Sequence, residues 1–169
     1  MGTDKSLMLV DGQVQAVRAT EVLRAAGLSQ VVCLGGNSEI LATLGLTVVP
    51  DRVQFDGPLR AITDGLAWAV ENHFGGLAVI ACDMPNVTVD LLDSILSRLE
   101  THDCAIAESS RGLEPLCAVY STSCVETFNR HVAAGERAPR RVLGHIDLVK
   151  VDVGDDRLVR NVNLPGDLV

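Results

Sequence analysis

Positively charged residues are scarce in this sequence and form no run. Lys and Arg total 14 against 22 Asp and Glu, which gives a net charge of −8 and an isoelectric point near 4.8. A protein that binds nucleic acid by neutralising phosphates needs a basic surface, so this function class is excluded. A nucleotide as a small-molecule substrate stays open, because one Lys, backbone N–H groups and a metal ion suffice to hold a polyphosphate.

The sequence also lacks a hydrophobic run of the roughly 20 residues that a membrane-spanning helix needs. Residues 1–6 mix acidic, basic and polar side chains, unlike the start of a secretory signal peptide. We therefore expect a cytoplasmic protein with no membrane-embedded part.

Cysteine and histidine patterns typical of disulfide frameworks or metal centres are missing as well. The 5 cysteines form no C-x-x-C pair, and the 4 histidines show no metal-ligand spacing. Most cysteines lie within apolar runs, so we expect buried, reduced thiols of the kind found in cytosolic proteins.

Apolar residues make up 47% of the chain although aromatics contribute only 3%, and Ala, Val and Leu dominate. Helical apolar spacing at residues 14–26 and from Pro58 onward alternates with short apolar runs such as 31–34 and 77–81. This alternation predicts an α/β fold with a mostly parallel sheet. The length of 169 residues, without repeats or linkers, predicts a single domain over residues 1–169.

Polar residues follow the predicted strands where open α/β sheets bind ligands, outside the carboxyl ends of the strands. Asp83 comes directly after the apolar run 77–81. A carboxylate there can bind a hard divalent cation, or it can serve as a turn or cap residue, and spacing alone leaves these two readings even. Asp51 also follows an apolar run and is a second candidate ligand contact.

Other candidates carry weaker signals. Lys5 lies close to Gly2, and a Gly-plus-Lys pairing can cradle phosphate, although an N-terminal Lys is more often solvated. The loop at residues 35–37 is more often a turn than a nucleotide loop. Asn163 favours an Asx turn over a ligand role.

Taken in order, several segments resemble the motifs of the molybdenum cofactor guanylyltransferase family, within the nucleotidyltransferases of Rossmann-like fold. The matching segments are M-G-T-D-K-S-L at 1–7, V-P-D at 49–51, G-P-L at 57–59, C-D-M-P at 82–85, E-P-L at 114–116 and N-V-N-L-P-G-D-L at 161–168. Each motif is short, but the ordered set covers nearly the whole chain. The resemblance implies a three-layer sandwich of the nucleotide-diphospho-sugar transferase type.

The resemblance implies an enzyme that transfers GMP from GTP to molybdenum-molybdopterin, releasing pyrophosphate and forming the guanine dinucleotide cofactor. The matching motif positions place its nucleotide contacts at Gly2, Lys5, Asn37, Asp51 and Asp83. Lys5 and Asp83 would be the catalytic residues, with Lys5 stabilising charge that develops at the α-phosphorus. Asp51 and Asn37 would lie near the guanine or the ribose.

The resemblance further implies Mg²⁺ as cofactor, held by Asp83 with Asn163 as a second contact. Proteins that insert the molybdenum cofactor are implied as partners. Three alternatives stay open. One is a cytidylyltransferase or another small-molecule nucleotidyltransferase of this fold, and the second is a non-catalytic nucleotide-binding protein without the glycine-rich loop. The third is a Rossmann-like domain with an unrelated ligand.

The family's opening strand and glycine-rich loop have no counterpart ahead of residue 1 in this sequence. In doubly wound folds the first strand is central and pairs on both sides. We therefore expect roughly 10 to 20 further residues upstream of Met1 in the functional protein, a strand and loop of ordinary size. Residues 31–34 paired on both edges would contradict this expectation.

Overall fold

The expected alternation of helices and strands is present in a computed structural model that describes residues 5–51, 53 and 56–162, with the backbone alone at Lys5. The helices are α1 (Gln15–Ala25), α2 (Ser38–Thr43), α3 (Pro58–Glu71), α4 (Val89–Leu96) and α5 (Val125–Ala133). The strands are β1 (Leu9–Val10), β2 (Gln13–Val14), β3 (Cys33–Leu34), β4 (Val48–Val49), β5 (Gly76–Ile80), β6 (Cys104–Ser109), β7 (Gly112–Ser121) and β8 (Leu148–Asp152). Short 3-10 helices lie at Lys5–Leu7, Leu99–Thr101, Thr122–Cys124, Pro139–Arg141, Leu143–His145 and Asp156–Val159.

The longest helix, α3, follows directly from its sequence. Pro58 occupies the first turn, where its missing N–H removes no helical hydrogen bond. Leu59, Ile62 and Leu66 recur at helical spacing, and all three are fully buried. The start predicted at Pro58 is therefore confirmed.

The main sheet has the strand order β5-β7-β6-β8. Strands β5, β6 and β8 run in one direction, whereas β7 is antiparallel to both of its neighbours. Two residues, Ser110 and Arg111, separate β6 from β7, and so short a connection can join only antiparallel strands. The α/β prediction is confirmed, but the sheet is mixed rather than mostly parallel.

Two strand pairs lie apart from the main sheet. β1 and β2 form an antiparallel hairpin, and β3 pairs in parallel with β4. β3 is shorter than the predicted run 31–34, and within the described part of the chain it pairs along one edge. The expected upstream strand stays a prediction.

Apolar side chains cover both faces of the main sheet. Along β6, Cys104 and Ile106 join one core cluster with α3 and α5, whereas Ala105 and Ala107 join a second cluster with α4. This alternation is the two-residue period of a strand that is buried on both faces. None of the helices in the described ranges is long and apolar enough to cross a membrane.

Candidate active site

Asp83 lies in the turn that follows β5. The N–H of Ala81 still donates to the Leu116 carbonyl of β7 (2.8 Å), and the N–H of Met84 then donates back to the carbonyl of Ala81 (3.1 Å). The Asp83 carbonyl accepts from the N–H of Val162 at 2.7 Å. The turn therefore connects the end of β5 with the last described residues of the chain.

Two side-chain hydrogen bonds link this turn to other parts of the chain. Arg18 of α1 donates from Nε to the carbonyl of Pro85 at 2.7 Å. Asn86 donates from Nδ2 to the carbonyl of Arg157 at 3.2 Å. Asp83 is half-buried and lines a cavity beside the turn, so its backbone is fixed while a ligand in the cavity can reach the residue.

Asp51 follows β4 and lies against the loop after β3. A Cβ placed on Gly35 would come within 2.5 Å of Asp51 Oδ2 and 2.6 Å of Oδ1, so the carboxylate sits directly against the glycine. Desolvation by this loop raises the pKa of Asp51 above its ordinary value, and the negative charge of Asp64 raises it further. The residue as a whole remains exposed, so a ligand can reach its carboxylate.

Asn37 caps helix α2. Its Oδ1 accepts a hydrogen bond from the N–H of Ile40 at 3.1 Å, as an N-cap side chain does. A ligand contact by Asn37, as the family resemblance implies, would fall to its Nδ2 group because Oδ1 is engaged in the cap.

A cavity of about 470 Å³ lies between β3 and β5. Residues 31–34 and 76–81 line it, together with side chains of α1 and α3. Leu34 and Leu77 each come within 2.9 Å of where a Cβ on Gly65 of α3 would lie, so both walls reach this helix. We call this space the β3–β5 cavity.

Strands β3 and β5 each direct some of their backbone N–H and C=O groups toward the β3–β5 cavity. Cys33 donates its N–H to Thr47 beside β4, and Ala81 donates its N–H toward β7, so odd-numbered residues pair away from the cavity. Because backbone groups alternate along a strand, those of Leu34, Ala78 and Ile80 point to the opposite edge. The cavity therefore separates two strand edges that are unpaired within the described ranges.

The loops that follow β3 and β5 both reach this cavity. Gly35 and Gly36 line it from one side and Asp83 from the other. Ser6 also lines it and belongs to the 3-10 helix Lys5–Leu7, which places the Lys5 backbone beside the same space.

Two predicted site residues, Gly2 and Asn163, lie outside the described residues. Asn163 directly follows Val162, whose N–H binds the Asp83 carbonyl. Arg18 was not among the predicted site residues, because nothing in its local sequence indicates a partner 67 residues away.

Among the residues that the structure describes, no group of three His, Cys, Asp or Glu side chains could hold a metal ion. Mg²⁺ does not require such a group, because it commonly binds one or two carboxylates and completes its shell with substrate phosphates and water. Asp83 supplies one carboxylate at the cavity. One carboxylate at this position is compatible with a Mg²⁺ ion that also binds the phosphates of a nucleotide.

The cysteines are poor candidates for a nucleophile. All five lie in the described ranges and none forms a disulfide, and Cys104, Cys117 and Cys124 are buried. Burial raises the pKa of Cys117 to about 12 and that of Cys124 to about 11. Both thiols are therefore protonated at neutral pH, in the form that does not attack an electrophile.

The sequence pattern described as the MobA-like NTP transferase domain matches residues 1–151. A protein of Pelotomaculum thermopropionicum named "Probable molybdenum cofactor guanylyltransferase" is 32% identical, over 100% of this chain and 84% of the relative.

Solved structures share the fold. Molybdopterin-guanine dinucleotide biosynthesis protein A from Archaeoglobus fulgidus superposes with a TM-score of 0.74 at 23% identity, covering 99% of this chain and 88% of that one. The 4-diphosphocytidyl-2C-methyl-D-erythritol synthase of Anaerococcus prevotii also has a TM-score of 0.74, at 9% identity, covering 99% and 91% of the two chains. At these identities the likeness concerns the fold alone.

Proposed function

This chain belongs to the MobA-like NTP transferase family, and we propose that it transfers the GMP part of GTP to molybdenum-molybdopterin. The acceptor's phosphate oxygen forms a bond to the α-phosphorus of GTP, and the bond to the β-phosphate oxygen breaks to release pyrophosphate. The observation that carries the proposal is the meeting of the Asp83 turn and the Gly35–Gly36 loop at one cavity. The product is the guanine dinucleotide form of the cofactor.

Asp83 is the proposed ligand of Mg²⁺, with Asn163 as a second contact. When bound, the ion would neutralise negative charge on the nucleotide's phosphates. The hydrogen bonds from Val162 and Arg18 to backbone carbonyls of the turn support this role, because they fix the position of the turn beside the cavity. A turn whose backbone is fixed before the substrate binds has little to reorganise during the reaction.

Lys5 is the proposed second catalytic residue. The 3-10 helix that begins at Lys5 adjoins the cavity through Ser6, on the side of the glycine loop. The role proposed for Lys5 from its match to the family motif is to stabilise the negative charge that develops on the transferring phosphoryl group. No covalent intermediate is required, since phosphoryl transfer depends mainly on positioning and electrostatics.

Asp51 is the proposed contact to guanine or ribose. Asp51 is exposed, and its carboxylate lies against Gly35 in the loop that follows β3. A carboxylate accepts two hydrogen bonds side by side, and guanine offers a ring N–H next to its amino group. Cytosine offers one amino donor beside an acceptor nitrogen, so this contact favours GTP over CTP.

We place the activity in the cytoplasm, which five cysteines without a disulfide support. The product would pass from this protein to proteins that insert the molybdenum cofactor into enzymes. Neither the cytoplasmic location nor the transfer to insertion proteins is argued from the β3–β5 cavity.

Nucleotide preference tests the proposal. The protein's melting temperature should rise more with GTP and Mg²⁺ than with CTP or ATP and Mg²⁺ at equal concentration. A larger rise with CTP would instead favour the cytidylyltransferase alternative, and no rise with any of the three would contradict nucleotide transfer.

A further inference from the structure

A buried acid lies at the start of β7. Glu114 is 8% exposed, and its Oε1 accepts hydrogen bonds from Ser109 Oγ (2.8 Å) and from Arg111 Nη2 (3.3 Å). A buried carboxylate is unfavourable unless it is paired, and removing its partner is strongly destabilising. The pairing therefore fixes the guanidinium of Arg111, whose side chain is otherwise about half exposed.

Arg111 also contacts a segment that is distant in sequence. Its Nη2 also donates to the carbonyl of Val159, at 3.0 Å, where the 3-10 helix Asp156–Val159 ends. At the other end of that helix, Asp156 Oδ1 accepts from the N–H of Ser110 at 2.9 Å. The turn between β6 and β7 thus holds the 3-10 helix at both of its ends.

The segment 159–162 then leads from Arg111 to the Asp83 turn. Val159 and Val162 are fully buried, and the N–H of Val162 binds the Asp83 carbonyl. Only two residues separate the Arg111 contact at Val159 from the Asp83 contact at Val162, so releasing Val159 should loosen the chain next to Val162.

We propose that Arg111, oriented by Glu114, is a positioning residue for Asp83. It holds the segment 159–162 where Val162 can fix the backbone of the Asp83 turn. Neither Arg111 nor Glu114 lines the β3–β5 cavity. The part of this inference that concerns metal binding rests on the proposed function, whereas the part that concerns the segment does not.

Amide hydrogen exchange tests the structural part. Arg111→Gln should speed exchange of the Val162 amide by roughly tenfold, the effect of losing one charge-assisted hydrogen bond. Arg130→Gln is the matched control, since Arg130 is exposed on α5 and donates to Thr127 of the same helix. It should leave Val162 unchanged. Equal Val162 exchange in Arg111→Gln and wild type would overturn the proposal.

Glu114→Gln tests the orienting role. It keeps the side chain's shape but removes the charge that orients Arg111, so Val162 exchange should rise by less than in Arg111→Gln. The double variant should exchange no faster than Arg111→Gln, because both changes act through one contact. Independent, additive effects would contradict a shared path.

Magnesium dependence separates positioning from general destabilisation. In Arg111→Gln the half-saturating Mg²⁺ concentration should rise roughly tenfold, while kcat at saturating Mg²⁺ stays within about twofold of wild type. A fall in kcat alone would overturn the positioning role. If the wild-type chain transfers no GMP, the proposed function fails, and Val162 exchange still decides whether Arg111 holds the segment.

Discussion

Replacing Gly35 with Ala tests whether Asp51 contacts the nucleotide. The added Cβ would lie 2.5–2.7 Å from the Asp51 carboxyl group, about 1 Å inside ordinary van der Waals contact. Because Asp51 is exposed, its carboxylate can swing aside, so the clash is relieved by moving Asp51 by about 1 Å. The φ of +71° at Gly35 adds backbone strain of about 1–2 kcal/mol for a residue with a Cβ.

Gly27→Ala is the matched control for this strain. Gly27 has a φ of +79°, and nothing lies within 4 Å of where its Cβ would be. Both variants should therefore lose about 1–2 kcal/mol of unfolding free energy in urea titrations. Only Gly35→Ala should also lose kcat/KM for GTP, by about ten- to hundredfold, as expected from a 1 Å misplacement.

Asp51→Ala decides whether the loss acts through Asp51. In that background Gly35→Ala should cause little further loss of kcat/KM, because the displaced carboxylate is already absent. Equal kcat/KM in the Gly35→Ala and Gly27→Ala variants would refute the placement of Asp51 at the nucleotide, and so would full additivity with Asp51→Ala.

The remaining predictions concern the two proposed catalytic residues and the β3–β5 cavity. Asp83→Asn should abolish Mg²⁺-dependent turnover with little change in melting temperature, since an amide keeps the turn's shape but not its charge; wild-type turnover would rule out the metal role. Lys5→Ala should lower kcat more than it weakens GTP binding, and a raised KM at unchanged kcat would indicate ground-state binding instead. A strand-forming segment joined to Met1 should slow amide exchange at Ala78 and Ile80, whereas the same segment with a central Pro should not. Equal exchange rates at Ala78 and Ile80 with the two segments would contradict the binding of a strand in the cavity.

Local sequence signals predicted several elements of this fold. Pro58 marked the start of α3, and the apolar run 77–81 matched β5 at Gly76–Ile80 to within one residue. The direction of β7 was not predictable from its own residues, because a fully buried strand has the same apolar pattern whichever way it runs. The two-residue connection at Ser110 and Arg111 fixes that direction, because so short a link joins only antiparallel strands.

Residues of the candidate site were predictable where the neighbouring sequence alone indicates their position. Asp83 and Asp51 each follow an apolar strand, and the structure places both beside loops at the carboxyl ends of their strands. Arg18 and Arg111 were not predictable, because each donates to a backbone carbonyl 67 or 48 residues away. A long cationic side chain on a helix or turn looks the same in sequence whether it is solvated or holds a distant loop.

Guanylyl transfer is tested most directly by detecting its product. The purified protein is incubated with molybdenum-molybdopterin, Mg²⁺ and either GTP or CTP, and the pterin products are identified by mass spectrometry while pyrophosphate is measured. We predict a molybdopterin-guanine dinucleotide from GTP, with one pyrophosphate released per dinucleotide formed. A cytidine dinucleotide formed in preference, or no dinucleotide from either nucleotide, would contradict the proposed reaction.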